Sequence, residues 1–289
     1  MFFIVVLKHL GLSFAYFFLR FVAAYFLLFS YNSVKSLLYF YRSRLGLGLF
    51  SALIAVYNNF YTFGQILLDK VALFNGFSNR IGHISEGNQH LNQIAEMGKG
   101  GILICAHFGG WELSGQLMEE LGFKPKILML EAEHKKIKQV IDASPSSKKL
   151  DIIPVKDDYT HILRVAKSLK KKELIAIHGD RFLQGTKTIR LPFLGEETEF
   201  PLGPFAMAVQ LKVPVSFIFT TKEKGFNYRC FASPVHYPFE KDIQADKQQQ
   251  IGDLAVSYIN TLEEFVKKYP HQWFNFYDFW QKGEKHAPN

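Results

Sequence analysis

"GILICAHFGGWELSGQ", Gly101 to Gln116, runs an aliphatic segment into a histidine, two glycines and a glutamate. Ile102 to Ala106 reads as a buried β-strand, being short, apolar and rich in branched side chains. From Trp111 onward, Trp111, Leu113, Leu117 and Met118 fall at helical spacing, so His107 to Gly110 is the expected turn between strand and helix. Ligands of open α/β sheets sit at the carboxyl ends of strands, and glycine lets backbone approach a ligand closely. Gly109 and Gly110 are therefore candidate turn and oxyanion residues, and His107 stands where chemistry is done. Glu112, in the first helical turn, is within reach of an imidazole nitrogen. There it can fix the tautomer and stabilise the imidazolium formed when the other nitrogen takes a proton. Spacing alone fits this base and its orienter; it equally fits a histidine ending a strand and a glutamate favoured by a helix dipole.

Outward from that stretch, Lys126 to Leu130, Ile152 to Val155, Leu174 to His178 and Val215 to Phe219 read as further strands alternating with helical segments. The alternation predicts an α/β fold, a mixed sheet flanked by helices. Before the strands, "SEGNQHLNQIAEMGKG" reads as a helix and turn. Upstream again, Leu53, Val56, Tyr57, Phe60, Phe63, Gly64 and Leu67 share one face of an amphipathic helix that Gly76 can end.

The 289 residues include 29 Phe, and their hydrophobic share is 48%. The Phe residues crowd the amino terminus. His9 to Tyr31 is long enough, at about 1.5 Å per residue, to cross a bilayer core, yet Arg20 lies at its middle, where a charge costs about 2.5–3.5 kcal/mol. A helix lying in the interface with its guanidinium snorkelling fits as well as a span, and the alternative to both is an apolar helix packed on the rest of the protein. Two units are expected: residues 1–45, an apolar membrane-associating helical segment, and residues 46–289, a catalytic domain. No small-x-small site closes the apolar run as a signal peptide would require.

A net charge of +8 suits an acidic partner: an anionic membrane surface, an acidic carrier protein or nucleic acid. Nucleic acid has only the charge in its favour. Cys105 and Cys230 make neither a disulfide framework nor a metal cluster; Cys105, inside the apolar run, reads as a packed strand residue. His178 lacks the companions of a metal site.

Two later blocks carry chemistry. In "LIAIHGDR" a strand is followed by Asp180 and Arg181, a pair that can face the same cleft as His107; Arg181 can bind a phosphate or support an oxyanion, and Asp180 can position it, while a surface ion pair at a turn fits the same residues. In "FPLGPFAMAVQLKVPV", Gly203 and Pro204 open a helix whose first N–H groups suit a phosphate; a plain helix start fits them equally. The aromatics of "WFNFYDFW" serve a core or a fatty-chain pocket. Lys135, Lys136, Lys138, Lys170, Lys171 and Lys172 offer a docking face for an acidic carrier or anionic headgroups, or a solvated helix surface.

"HFGGWE" resembles the His-x4-Asp/Glu box of the glycerophospholipid acyltransferase superfamily, in the form carried by bacterial lipid A biosynthesis (lauroyl and myristoyl) acyltransferases. The likeness continues through "YNNFYTFGQILLDK", "HGDRFLQGTKTIRLPFLGEETEFPLGPFAMAVQLKVPV" and "PHQWFNFYDFW", covering most of the chain. It implies a glycerolipid-acyltransferase-like fold and O-acyl transfer at a bacterial inner membrane, the catalytic domain on the cytoplasmic side. The donor it implies is an acyl carrier protein or acyl-CoA thioester, with no cofactor beyond that co-substrate. Residue by residue, the box implies His107 as base and Glu112 as its support. "HGDR" departs from the usual lipid A pattern and looks closer to the branch of aryl polyene and flexirubin-type pathways. The acceptor is thus a lipid, a glycolipid or a pigment alcohol.

Two other classes compete. An acyl hydrolase would need a nucleophile or metal, and neither a Gly-x-Ser-x-Gly elbow nor a His-Glu-x-x-His segment is present. A catalytically silent membrane-binding protein would not need the His107 and Glu112 pair.

Overall fold

The computed structural model describes residues 2–74, 82–120, 122–130, 151–155, 160–182, 185–238 and 246–280. Strand β2 (Gly101–Gly109) is buried along its whole length. Its side chains alternate as strand geometry requires. Ile102, Ile104 and Ala106 enter one core, while Leu103 and Cys105 enter a second on the opposite face. A strand covered on both faces belongs to the interior of a parallel sheet.

The other strands among the described residues are β1 (Gly82–Glu86), β3 (Lys126–Leu130), β4 (Ile152–Val155), β5 (Leu174–His178), β6 (Thr188–Phe193), β7 (Glu196–Pro201), β8 (Val215–Lys222) and β9 (Asn227–Ala232). Seven of the strands form one sheet in the order β1-β9-β8-β2-β5-β3-β4, and β6 and β7 form a separate hairpin. β4, β3, β5, β2 and β8 run parallel; β9 turns back against β8, and β1 runs parallel to β9. The α/β class is thus observed. The helix and turn expected from Ser85 begin later than the spacing suggests, because Gly82–Glu86 pairs with β9 and only Asn88–Glu96 (α4) is helical.

α1 (Phe2–Phe29) is the N-terminal apolar helix, kinked where Gly11 adopts φ 78°. It is followed by α2 (Tyr31–Tyr39), a π-helical turn over Phe40–Arg44, and α3 (Leu49–Phe74). α1 packs along α3: Val6, Leu7, Ala15 and Leu19 meet Leu68 and Ala72 in a core of their own. Gly64 permits the contact, since a Cβ there would come within 2.5 Å of Leu19. The opposite face of α1, with Phe14, Phe17, Phe21, Tyr25 and Phe29, is exposed. Phe40 and Tyr41 are fully buried in the main core, so residues 1–45 are packed into the rest and not hung from it.

α3 departs from the expected stripe. Leu67 is exposed, while Ala52, Ala55, Asn59 and Asp69 are buried, because the helix is covered on one side by the main core and on another by α1. Gly76 lies outside the described residues. The remaining α-helices among the described residues are α5 (Trp111–Glu120), α6 (Thr160–Lys170), α7 (Gly203–Leu211) and α8 (Lys247–Lys268). α8 buries Ile251, Leu254, Ala255, Tyr258, Ile259, Leu262 and Val266, a complete i, i+3, i+4 stripe.

Candidate active site

β2 does not end at Ala106. It runs on to Gly109 with a bulge after Cys105, and Gly109 pairs with Thr220 of β8. The expected turn from His107 to Gly110 is corrected accordingly: His107 stands on an irregular strand end, and only Gly110 separates that strand from α5. A bulge re-aims side chains near its position, and here it accompanies a departure from the regular alternation just before the histidine.

Gly109 has φ 54°, and a Cβ on it would fall 2.0 Å from the Thr220 carbonyl oxygen. Gly110 donates its N–H to that same oxygen at 2.7 Å, and a Cβ on Gly110 would strike the Tyr228 ring at 2.6 Å. The glycines therefore let the strand end close down on β8 and β9. Because the Gly110 N–H is already bonded within the sheet, Gly110 is not the free oxyanion donor suggested by the sequence.

The next strand over supplies the partner of His107. β5 pairs with β2 in register Cys105↔His178, so the residues just after β5 lie beside His107. Asp180 accepts from the His107 backbone N–H at 2.8 Å and pairs with its Nδ1 at 2.9 Å. Asp180 is 1% exposed and His107 8%. Burial alone would push the Asp180 carboxyl up, but the charge and hydrogen bond of His107, with Arg181 nearby, outweigh it and hold the group well below the usual carboxylate range. Asp180 is thus an anion bonded to one imidazole nitrogen, Nδ1, and does not occupy Nε2. The side chain of Glu112 lies outside the described residues, as do Lys135, Lys136 and Lys138.

Arg181 donates from Nη2 to the carbonyl of Phe274 and lies 5.6 Å from the centre of the Tyr277 ring. Phe274 in turn donates its N–H to the His107 carbonyl at 3.2 Å, and Trp273 bridges Phe108. The C-terminal segment therefore clamps the strand end that carries His107, a role with no signal in local spacing. Its Trp273, Phe274, Phe279 and Trp280 are buried. Gly203 and Pro204 begin α7 as expected, but Pro204 is buried. α7 approaches the site indirectly, through Phe205 on Tyr258 and the Tyr258 hydroxyl on the Cys105 carbonyl at 2.8 Å. Lys170, Lys171 and Lys172 are exposed at the end of α6. Burial pushes the Cys105 thiol up, so it stays protonated and packs as a strand residue.

Two aromatic neighbours complete the group. His178 stacks on His107 with centroids 4.2 Å apart and planes at 27°. Trp111 stands edge-on to His178 at 4.6 Å and against His107 at 5.2 Å. Burial, and then the proximity of His107, push the His178 imidazole down to about 3, so it is neutral at working pH.

Beneath the glycine turn lies a second polar cluster. Asp69 of α3 is fully buried and accepts from Lys222 of β8, Tyr228 of β9 and Tyr16 of α1. Lys222 also donates to the Gly225 carbonyl at 2.7 Å. Burial disfavours both charges, raising the Asp69 carboxyl and lowering the Lys222 ammonium.

No curated protein matches the chain. Among solved structures, the 1-acyl-sn-glycerophosphate (LPA) acyltransferase PlsC from Thermotoga maritima is similar at 12% identity and a TM-score of 0.38, covering 87% of this chain and 95% of that one. The family model described as bacterial lipid A biosynthesis acyltransferase matches residues 56–282, which take in β2, β5, the C-terminal clamp and every candidate site residue. The chain therefore belongs to the bacterial lipid A biosynthesis acyltransferase family, and it is an acyltransferase.

Proposed function

We propose that the protein moves a fatty acyl chain from a thioester, carried by an acyl carrier protein or coenzyme A, to a hydroxyl of a lipid-like acceptor, with His107 as general base. The observation that carries this reading is the 2.9 Å hydrogen bond between His107 Nδ1 and Asp180 Oδ1. With Nδ1–H bonded to a carboxylate, the neutral ring has its lone pair on Nε2, and the imidazolium that forms after proton uptake is stabilised. Asp180 takes the orienting part that box spacing assigned to Glu112, and Glu112 remains a candidate contact for the acceptor or its proton. His107 removes the acceptor proton, the oxygen attacks the thioester carbonyl, and the thiol leaves with the proton held on Nε2. No acyl-enzyme is needed. Arg181 and the N-terminal N–H groups of α7 are candidate contacts for phosphates of either substrate.

The protein works at a membrane surface in this reading. Val5–Phe29 is long and apolar enough to cross a membrane, but its inner face is occupied by α3, while its outer face is a stripe of Phe and Tyr. That arrangement suits a helix lying in one leaflet, with Arg20 reaching the headgroups. A bacterial inner membrane, with the catalytic domain on the cytoplasmic side where thioester donors are made, fits this seat. The "HGDR" block departs from the usual lipid A pattern, so the acceptor need not be lipid A and is open among a sugar lipid, a glycerolipid, an amino-acid lipid and a pigment alcohol. Untargeted lipid and pigment mass spectrometry of source cells carrying wild type or a His107→Ala copy tests the reading. A product lacking one acyl chain in the variant names the acceptor; identical profiles at equal protein level would end the proposal.

A further inference from the structure

Two of the groups the sequence nominates to stabilise a developing oxyanion have bonds of their own: the Gly110 N–H bonds the Thr220 carbonyl, and one Arg181 nitrogen, Nη2, bonds the Phe274 carbonyl. His178 differs. Its Nε2 is buried and has no hydrogen-bond partner among the described residues, although its ring lies 4.2 Å from that of the base. A buried polar atom left without a partner is uncommon in a folded protein, and where it occurs beside reacting groups it marks a place for the substrate to bond.

The geometry points to His178 as a second working imidazole of the site, one that donates from Nε2–H to the carbonyl oxygen of the acyl thioester as that oxygen becomes an oxyanion. The assignment rests on the acyl-transfer reading above. As the acceptor oxygen bonds to the carbonyl carbon, the π pair moves onto the carbonyl oxygen, which His178 Nε2–H then holds. When the carbonyl re-forms, the C–S bond breaks and the thiolate takes the proton that His107 Nε2 received from the acceptor. His178 returns with its own proton, so atoms and charge balance.

Three observations support the pairing. The β2–β5 register places His178 opposite Cys105, two residues before His107, so both imidazoles stand at the same end of adjacent parallel strands. His178 is held neutral, and a neutral imidazole is a hydrogen-bond donor that does not compete with His107 for the acceptor's proton. Trp111 packs against both rings, a lining that strengthens a hydrogen bond to a charged oxygen.

The test uses purified full-length protein in detergent, with source-cell membrane lipid as acceptor and radiolabelled myristoyl-coenzyme A or myristoyl-acyl carrier protein as donor. His178→Phe keeps a flat ring against His107 but has no donor. It is expected to lower kcat by about 10²–10³ with little change in the KM for the thioester. His178→Gln, whose side-chain amide restores an N–H, is expected to recover at least about tenfold of that loss. Melting midpoints near the parental value confirm that both variants are folded. A parental kcat in His178→Phe, or equal loss in the Phe and Gln variants with folding intact, would overturn the assignment. Those outcomes differ from a failure of the acyl-transfer reading, in which wild type would transfer no label, and from a failure of the base assignment, in which His107→Ala would transfer label as fast as wild type.

Discussion

Asp180 holds His107 at two points, accepting from its backbone N–H at 2.8 Å and pairing with Nδ1 at 2.9 Å. Asp180→Asn keeps the shape and one acceptor, but presents an amide N–H toward Nδ1 when its oxygen serves the backbone. The imidazole must then carry its proton on Nε2, where the lone pair is needed. Acyl transfer is expected to fall by about 10²–10⁴, the range for losing general-base catalysis, with the fold retained. Steady-state transfer rates beside circular dichroism check this, and a folded variant with parental activity would remove Asp180 from the mechanism.

Acid lability follows from the same corner of the sheet. Asp180 is held below its unfolded value of about 3.9. Its contribution to stability is therefore complete above about pH 4 and disappears as pH falls toward the folded pKa. His178 acts over a higher window: an unfolded imidazole takes its proton near 6.5, whereas the folded one stays neutral down to about 3. The unfolded chain binds more protons across that interval, so stability falls there by up to about 1.4 kcal/mol per pH unit. Urea midpoints at pH 7.5 and 5 should show a smaller acid loss for His178→Phe than for wild type. Parallel losses would mean that His178 is protonated in the folded protein.

Two glycines near His107 should respond in opposite directions. Gly109→Ala places a Cβ 2.0 Å from a backbone oxygen at φ 54°, and is expected to destabilise by about 1–3 kcal/mol while displacing His107. Gly115 lies inside α5, where an added Cβ would meet nothing within 4 Å. As Ala it gains helix propensity, about 0.5–1 kcal/mol. Thermal denaturation of the two variants checks the signs.

The exposed face of α1 can be separated from its packed face. Phe17→Glu with Phe21→Glu alters side chains that are 49% and 63% exposed, so the fold should survive while sedimentation with anionic vesicles drops. Deleting residues 1–45 should instead unfold the protein, because it removes Phe40 and Tyr41 from the main core. A deletion that stays folded and active would show that the core closes without them.

Much of this was legible from local pattern. β3, β4 and β5 occupy the ranges their composition predicts, and β2 extends only past the bulge. The pairing of Asp180 with His107 was not legible, since the residues lie 73 positions apart and meet only because β5 lies beside β2. The clamp from Phe274 to the His107 carbonyl escaped for the same reason. On α3, apolar spacing misplaced Leu67 and hid Asp69, because a helix covered on two sides has no single polar face.

The buried cluster of Tyr16, Asp69, Lys222 and Tyr228 binds α1, α3 and the sheet at one point, and the Tyr228 ring lies directly against Gly110. If α1 lies in lipid as proposed, this bracket would fix the height of His107 above the bilayer. On that proposed seating, an acceptor would be chosen by how far its hydroxyl rises from the acyl region as well as by its shape.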